Sequence, residues 1–343
     1  MVNKDERILE AARVAVVIPC YKVADHILGV IKDIDFTIWK IYVVDDACPE
    51  NSGRLVATRI ADPRVKIIYN PVNLGVGGSV MAGYRSAIAD GANVIVKIDG
   101  DGQMDPRLIP RFVKPILQGD ADYTKGNRFF NLEDVQSMPR ARLLGNTVLS
   151  LLSKISTGYW DLFDPTNGFT AIHAKVAHYL PMEKISQRYF FESDILFRLN
   201  TLRAVVIDIP MEAKYGNEIS NLKIGKIIGE FFSKHARNSI KRIFYNYYLR
   251  DMSIASVELP IGLLLLIFGI IYGGYHWIIS AHVGITTPSG TVMLSALSIL
   301  MGVQFTLAFL NYDIAQTPRR ILHTRLNLAS ITSDSLNSEH SPS

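Results

Sequence analysis

Two long apolar runs near the carboxyl end constrain this chain more than any other feature. "VELPIGLLLLIFGIIYGGYHWIIS" (257–280) and "TVMLSALSILMGVQFTLAFL" (291–310) each have the ~20 residues that cross a ~30 Å hydrocarbon core. Helices that are hydrophobic on every side belong in lipid or deep in a large core, and lipid is the better match here. The runs also explain a mean hydropathy of +0.17 in a chain with 20% charged residues. Glu258 lies at the rim of the first run, and Trp277 and Tyr312 suit the interfacial belt. The link "AHVGITTPSG" holds no Lys or Arg, whereas Lys241, Arg242 and Arg250 precede the pair and Arg319, Arg320 and Arg325 follow it. The positive-inside rule therefore predicts a multi-pass protein of the inner (cytoplasmic) membrane, with both termini cytoplasmic. The tail "SITSDSLNSEHSPS" reads as disordered.

The first 220 residues follow a different rhythm. Short β-branched runs at 14–19, 41–46, 64–70 and 93–99 predict buried strands. Amphipathic stretches at about 25–33, 52–61, 77–90 and 106–118 predict helices between them. Further strands are expected near 121–127, 168–173 and 204–211, with helices over 142–160 and 190–202. This alternation predicts an α/β fold with a mostly parallel, doubly wound sheet. Ligands of such sheets bind beyond the carboxyl ends of the strands. Tyr21, Asp45, Asp46, Asn73, Asp99 and Asp101 collect there. From 222 to 250, apolar positions at helical spacing alternate with lysine and arginine, which predicts helices lying in the cytosolic membrane interface. Leu143, Leu144, Val148, Leu151 and Leu152 form a second apolar stripe that suits the same surface.

Charge and cysteine content exclude other classes. A net charge of +4, with no zinc-finger spacing and no RNP-like motif, gives no basis for nucleic-acid binding. Cys20 and Cys48 do not make a disulfide framework and suit a reducing compartment. The amino terminus is charged and lacks an h-region, so no signal peptide is expected.

"VKIDGDGQMDP" (96–106) crowds Asp99, Asp101 and Asp105 at the end of a strand. An Asp-x-Asp pair around a glycine turn offers hard oxygen ligands that suit Mg2+ or Mn2+, with substrate phosphates completing the shell. "GVGGSV" (75–80) invites a rival reading as a dinucleotide fingerprint. The third glycine is missing, as is the expected acid after the next strand, and there is no Walker A lysine.

In order and spacing, "VVIPCYK", "YVVDDACPENSG", "NLGVGGSVMAGYRSA", "KIDGDGQMDP", "DPTNGFTAI" and "FFESDILFRL" resemble the family-2 inverting glycosyltransferases of GT-A fold. The branch resembled is that of the polyprenyl-phosphate glycosyltransferases, over roughly residues 14–220. The resemblance implies that Pro19 and Tyr21 border the nucleotide base and that Asp45 or Asp46 recognises base or ribose. It places Asp99 near ribose and metal, makes Asp101 the principal metal ligand, and adds Gln103 to the metal–diphosphate shell. It sets Asp164 facing sugar and acceptor. Partners follow: a nucleotide-sugar (UDP-linked over GDP-linked), polyprenyl phosphate and the bilayer, with a small homo-oligomer compatible with two spans per chain.

The acceptor decides the chemistry. A sugar hydroxyl needs a base within hydrogen-bond reach. A polyprenyl phosphate, whose second pKa is about 6 by analogy with phosphorylated side chains, arrives ionised and needs cations instead. The resemblance places an adjacent Glu-Asp pair in members that use hydroxyl acceptors, and this chain reads "FFESDIL" instead. The Gln-x-x-Arg-Trp motif of processive synthases is also missing. Both departures favour undecaprenyl phosphate or a similar lipid phosphate. The alternative is a saccharide hydroxyl with Glu192 or Asp194 as base. Arg128, Arg142, Lys214 and Lys223 are the candidate phosphate cations. The expected organisation is a catalytic domain over 1–220, interfacial helices over 221–253, a transmembrane hairpin over 254–314 and a largely disordered cytosolic tail over 315–343.

Overall fold

Strand β1 (Val14–Cys20) sets the layering. Val14, Val16 and Ile18 face one side, Ala15 and Val17 the other, and all are buried. Because successive side chains point to opposite faces, the strand feeds two cores and must lie mid-sheet with helices on both sides. The computed structural model, which describes residues 11–130, 140–212 and 224–326, has this arrangement.

Seven strands form one sheet: β1, β2 (Lys40–Asp45), β3 (Val65–Tyr69), β4 (Val94–Lys97), β5 (Tyr123–Asn127), β6 (Thr170–His173) and β7 (Val206–Pro210). Their order is β3-β2-β1-β4-β6-β5-β7. Each lies, to within a residue, in a stretch that the sequence marks as strand. The core on the Val16 side is completed by α1 (Ala24–Lys32), α2 (Ser52–Arg59) and α4 (Ile109–Gln118). The opposite core is completed by α3 (Gly75–Ala89), α6 (Ala174–His178) and α7 (Phe191–Leu202). The one reversed strand is β6, antiparallel to both β4 and β5. It follows α5 (Arg140–Thr157) and a loop that reaches the strand-end rim, so it has to run back down the sheet.

The chain divides into two compact units, Met1–Asn238 with Pro318–Ser343, and Ser239–Thr317. Helix α8 (Ile224–Phe244) begins in the first and ends in the second. Within the first unit it packs on the α/β body. The His235 Nδ1 and Ser156 Oγ atoms pair at 2.7 Å, and the Asn238 amide donates to Asp194 at 3.1 Å. Phe232 on the same helix stays exposed. The stretch expected to lie in the membrane interface thus has one side committed to protein and another left apolar and open. On α5, Val148 and Leu151 are likewise exposed.

The second unit holds α9 (Ala255–Val283) and α10 (Ser289–Ala315), both long and apolar enough to cross a membrane. They approach closely where Ser295 Oγ donates to the Gly269 carbonyl at 2.7 Å. Near the end of α10, the Arg242 guanidinium grips Asp313 with two hydrogen bonds of 2.6 and 2.9 Å, and the Tyr247 hydroxyl donates to the same carboxylate at 2.6 Å.

Beyond Pro318 the chain belongs to the first unit again. Asp122, just before β5, accepts from the Leu322 and His323 amides at 2.8 Å each and from the Val205 amide at 2.8 Å. The His323 ring stacks on His173 with centroids 4.2 Å apart. Of the tail expected to be largely disordered over 315–343, residues 315–326 are ordered, with 322–323 held by this clasp, and residues 327–343 lie outside the described residues.

Two outcomes follow from these buried polar contacts. Arg242→Met leaves the Asp313 carboxylate buried without its counter-charge, so thermal inactivation of the purified protein should show a loss of roughly 3–5 kcal/mol. Burial, aided by neighbouring His323, lowers His173 from 6.5 to about 4. The unfolded chain then takes up a proton that the folded chain refuses, so stability is full above about 6.5 and falls as pH drops toward about 4. Unfolding temperatures across that window should fall for wild type and fall less for His173→Phe, which keeps a ring against His323. His235, also lowered to about 4 by burial, leaves a residual slope.

Candidate active site

The acids after β2 build the rim before any ligand arrives. Asp45 accepts from the Cys48 and Gly53 amides at 2.7 Å each, which folds the loop into the start of α2. Asp46 accepts from the Asn70 side-chain amide at 2.8 Å and from the Leu74 and Gly75 amides at 2.9 and 2.7 Å. Both are buried. Carboxylates on free amides at a helix start gain from hydrogen bonding and from the helix dipole. The Gly77 and Gly78 amides donate to the Gln187 carbonyl at 2.8 and 3.2 Å. Three of the first four amides of α3, those of Gly75, Gly77 and Gly78, are thus taken by Asp46 and Gln187, which weakens the anion site that a dinucleotide fingerprint needs. Pro19 lies within β1, and Tyr21 just beyond it is exposed.

After β4, Asp99 ion-pairs with Lys97 at 2.7 Å. Asp101 accepts from the Gln103 amide at 3.0 Å across Gly102, whose φ of +78° is available to glycine at little cost. Asp99, Asp101 and Gln103 are half-buried at the rim. Asp105, the third acid of the cluster, serves the backbone instead. It caps the 3-10 turn Pro106–Leu108 and pairs with Arg107 at 2.8 Å. Among the described residues no group of three or more His, Cys, Asp or Glu side chains gathers as a metal cage. Two carboxylates alone match an ion that keeps waters and takes substrate phosphates, as Mg2+ does.

The loop before β6 supplies the other side. Asp164 is fully buried and accepts from Arg128 Nε and Nη2 at 2.8 and 3.2 Å, from Thr166 Oγ1 at 3.3 Å and from the Asn167 amide at 3.4 Å. The structure thus brings together Asp164 and Arg128, two residues that the sequence marks separately. The Arg142 side chain, Lys214 and Lys223 lie outside the described residues.

Beneath this loop stand two lysines to which the sequence motifs assign no role. Lys97 and Lys125 are both buried, on β4 and β5, each opposite Thr170 of β6. Lys125 Nζ donates to the Asn167 carbonyl. Burial pulls the Lys125 ammonium down, against the attraction of Glu192 and Asp164. Burial likewise pushes the Glu192 carboxyl up, against Lys97 and Lys125. The available signal was a lysine on the inward register of an apolar strand, two residues from a buried Ile95 or Tyr123. Asp194, the other acid of "FFESD", is turned elsewhere. It accepts from the Ser186 amide at 2.8 Å, the Asn238 amide at 3.1 Å and Arg198 at 3.4 Å. Of the two acids kept open as bases, only Glu192 shares the lysine cluster.

The family profile described as Glycosyl transferase family 2 matches residues 15–180. The chain is 30% identical over 224 residues to the undecaprenyl-phosphate mannosyltransferase of Micrococcus luteus, covering 64% of this chain and 90% of that protein. It is 24% identical over 213 residues to the UDP-N-acetylglucosamine–dolichyl-phosphate N-acetylglucosaminyltransferase of Methanococcus voltae, covering 58% and 84%. The glucosyl-3-phosphoglycerate synthase of Mycobacterium tuberculosis, crystallised with Mn2+, UDP and glucosyl-3-phosphoglycerate, matches with a TM-score of 0.53 and 16% identity, covering 71% of this chain and 84% of that one. At that identity the likeness is one of fold.

Gly168 joins the two sides of the site. A Cβ there would lie 2.7 Å from Asp99 Oδ2 and press on the Lys97 ammonium. Gly168→Ala should therefore cost about 1–3 kcal/mol of stability, the usual range for overpacking. Thermal unfolding checks this, and an unchanged melting temperature would show that the loop has room to move.

Proposed function

Because the chain belongs to glycosyl transferase family 2 and is related to the polyprenyl-phosphate sugar transferases, we propose that it moves a sugar from a nucleotide-sugar to polyprenyl phosphate at the cytosolic membrane face. The observation that carries this reading is the pairing of an Asp99/Asp101 turn with the Arg128–Asp164 loop at one strand-end rim, in a chain with two membrane-length apolar helices. A divalent ion, Mg2+ or Mn2+, held by Asp99 and Asp101 would neutralise the charge that grows on the leaving diphosphate. Gln103 stands beside them for the same diphosphate. Pro19, Tyr21, Asp45 and Asp46 frame the nucleotide end, and a UDP-linked donor is preferred over a GDP-linked one.

Arg128 is assigned to the acceptor. Its guanidinium presents a planar fork that suits a phosphate as well as a carboxylate. An incoming phosphate would share the guanidinium with Asp164, which already takes Nε and Nη2, and it needs no proton removed, so its oxygen attacks directly. Inversion follows from approach opposite the leaving group. The exposed Val148, Leu151 and Phe232 suit contact with lipid near the headgroups. That residues beyond Pro318 join the same unit as the α/β body supports a hairpin with both ends on one side of the membrane. The basic flanks place that side in the cytoplasm.

A second reading has one observation in its favour: Glu192 is raised to about 7, chiefly by burial, a value that suits a general base for a sugar hydroxyl. The product separates the two. Purified protein, undecaprenyl phosphate, Mg2+ or Mn2+ and a panel of labelled nucleotide-sugars should yield a lipid-extractable product that mild acid cleaves, as a glycosyl phosphate is cleaved. An acid-stable glycoside would overturn the phosphate acceptor. Asp101→Ala should lower transfer by roughly 100-fold or more while the protein still folds, since several kcal/mol of transition-state stabilisation are removed.

A further inference from the structure

We propose that Lys97 and Lys125 are positioning residues, a buried two-lysine bracket that fixes the donor-side carboxylate Asp99 and the acceptor-side loop 164–168 in one frame. This rests on the transferase reading above and assigns how its two halves are held together. Strands β4, β6 and β5 are neighbours, and both lysines stand opposite Thr170. With strands ~4.8 Å apart, their backbones are separated by roughly 10 Å, close enough for two long side chains to work on one site. Lys97 shares the register of Ile95, Lys125 that of Tyr123, and Thr170 that of Ile172, all members of the core that α3 and α7 complete.

Each ammonium reaches a different half of the site. Lys97 Nζ meets Asp99 Oδ1 at 2.7 Å, on the donor side. Lys125 Nζ donates to the Asn167 carbonyl, on the acceptor side. The halves touch at Gly168, where a Cβ would strike both Asp99 and the Lys97 ammonium. Asn167 extends the frame: its side chain donates to Asp164 at 3.4 Å and accepts from the Phe169 amide at 2.9 Å. Phe191 seals the cluster, with Lys97 Nζ 5.5 Å from its ring centre.

Burying two like charges on neighbouring strands is costly unless anions balance them. Glu192 attracts both lysines, and Asp99 takes Lys97 directly. The two lysines are therefore set among three acids, Asp99, Glu192 and Asp164, the last of them shared with Arg128. Apolar side chains of similar length would fill the same core space at lower cost. What they would not do is bind a carboxylate on one loop and a carbonyl on the other.

The test separates the two lysines. Lys97→Met should weaken Mn2+-dependent binding of the nucleotide-sugar by roughly tenfold in calorimetry, and change KM for polyprenyl phosphate by about twofold at most. Lys125→Met should do the reverse, with nucleotide binding within about twofold and acceptor KM raised by roughly tenfold. Adding Glu192→Gln to Lys125→Met restores the charge balance, so it should recover the melting temperature without recovering the acceptor KM. Lys97→Arg and Lys125→Arg keep the charge but displace it, and should show the same split if a methionine variant does not fold. Equal losses on both sides, or losses that vanish once the melting temperature is restored, overturn the bracket. Wild-type protein that binds no nucleotide-sugar overturns the transferase reading and takes the bracket with it.

Discussion

Strand β6 is four residues long, and its reversed direction organises the site. It begins at the rim where its parallel neighbours end. The loop that feeds it must therefore cross above β4 and β5, and this brings Asp164, Asn167 and Gly168 onto the Asp99 turn. Were β6 parallel, its lead-in loop would lie at the far end of the sheet and the two acid clusters would never meet. Thr170 opposite both Lys97 and Lys125 is the register mark of this arrangement.

Buried charge is admitted here only where it is matched. Lys97 and Lys125 sit among Asp99, Asp164 and Glu192, Asp194 among donors from three segments, and Arg242 against Asp313. The apolar faces are treated in the opposite way. Most of the side chains of α9 and α10 face outward, and Phe232, Val148 and Leu151 stay exposed on the α/β body. A soluble protein seldom leaves such residues in groups, and a lipid surface removes the cost. The chain thus buries a few matched charges within its hydrocarbon core and leaves apolar side chains exposed on the two long helices and at Phe232, Val148 and Leu151.

The strands were legible because runs such as "VAVVIP" and "NVIVKI" carry a local signal of β-branched residues closed by a turn. The acid turn was legible because Asp99, Gly100, Asp101 and Gly102 are contiguous. The direction of β6 was not, since "FTAIH" reads the same whichever way it pairs. Nor was the burial of Lys97 and Lys125. A lysine on a short strand looks like a solvated end, whereas Phe191 and the 167–168 loop, distant in sequence, cover these two. The Asp122 clasp joins residues 200 apart and leaves no local trace. The choice between Glu192 and Asp194 was open for a similar reason. Two positions apart on a helix, they point in different directions, but only tertiary packing shows which direction is the site.

That divergence bears on the acceptor. To act as a base, Glu192 would have to gain a proton, and neutralising it would leave two buried ammoniums facing one carboxylate fewer at the moment of transfer. A phosphate acceptor makes no such demand. At the proposed Arg128 site, next to Asp164, it would bring its own negative charge and leave the Lys97–Glu192–Lys125 balance untouched. Under the proposed function, an acceptor that arrives ionised would leave this balance unchanged, whereas a hydroxyl acceptor would call on the raised Glu192 carboxyl as its base.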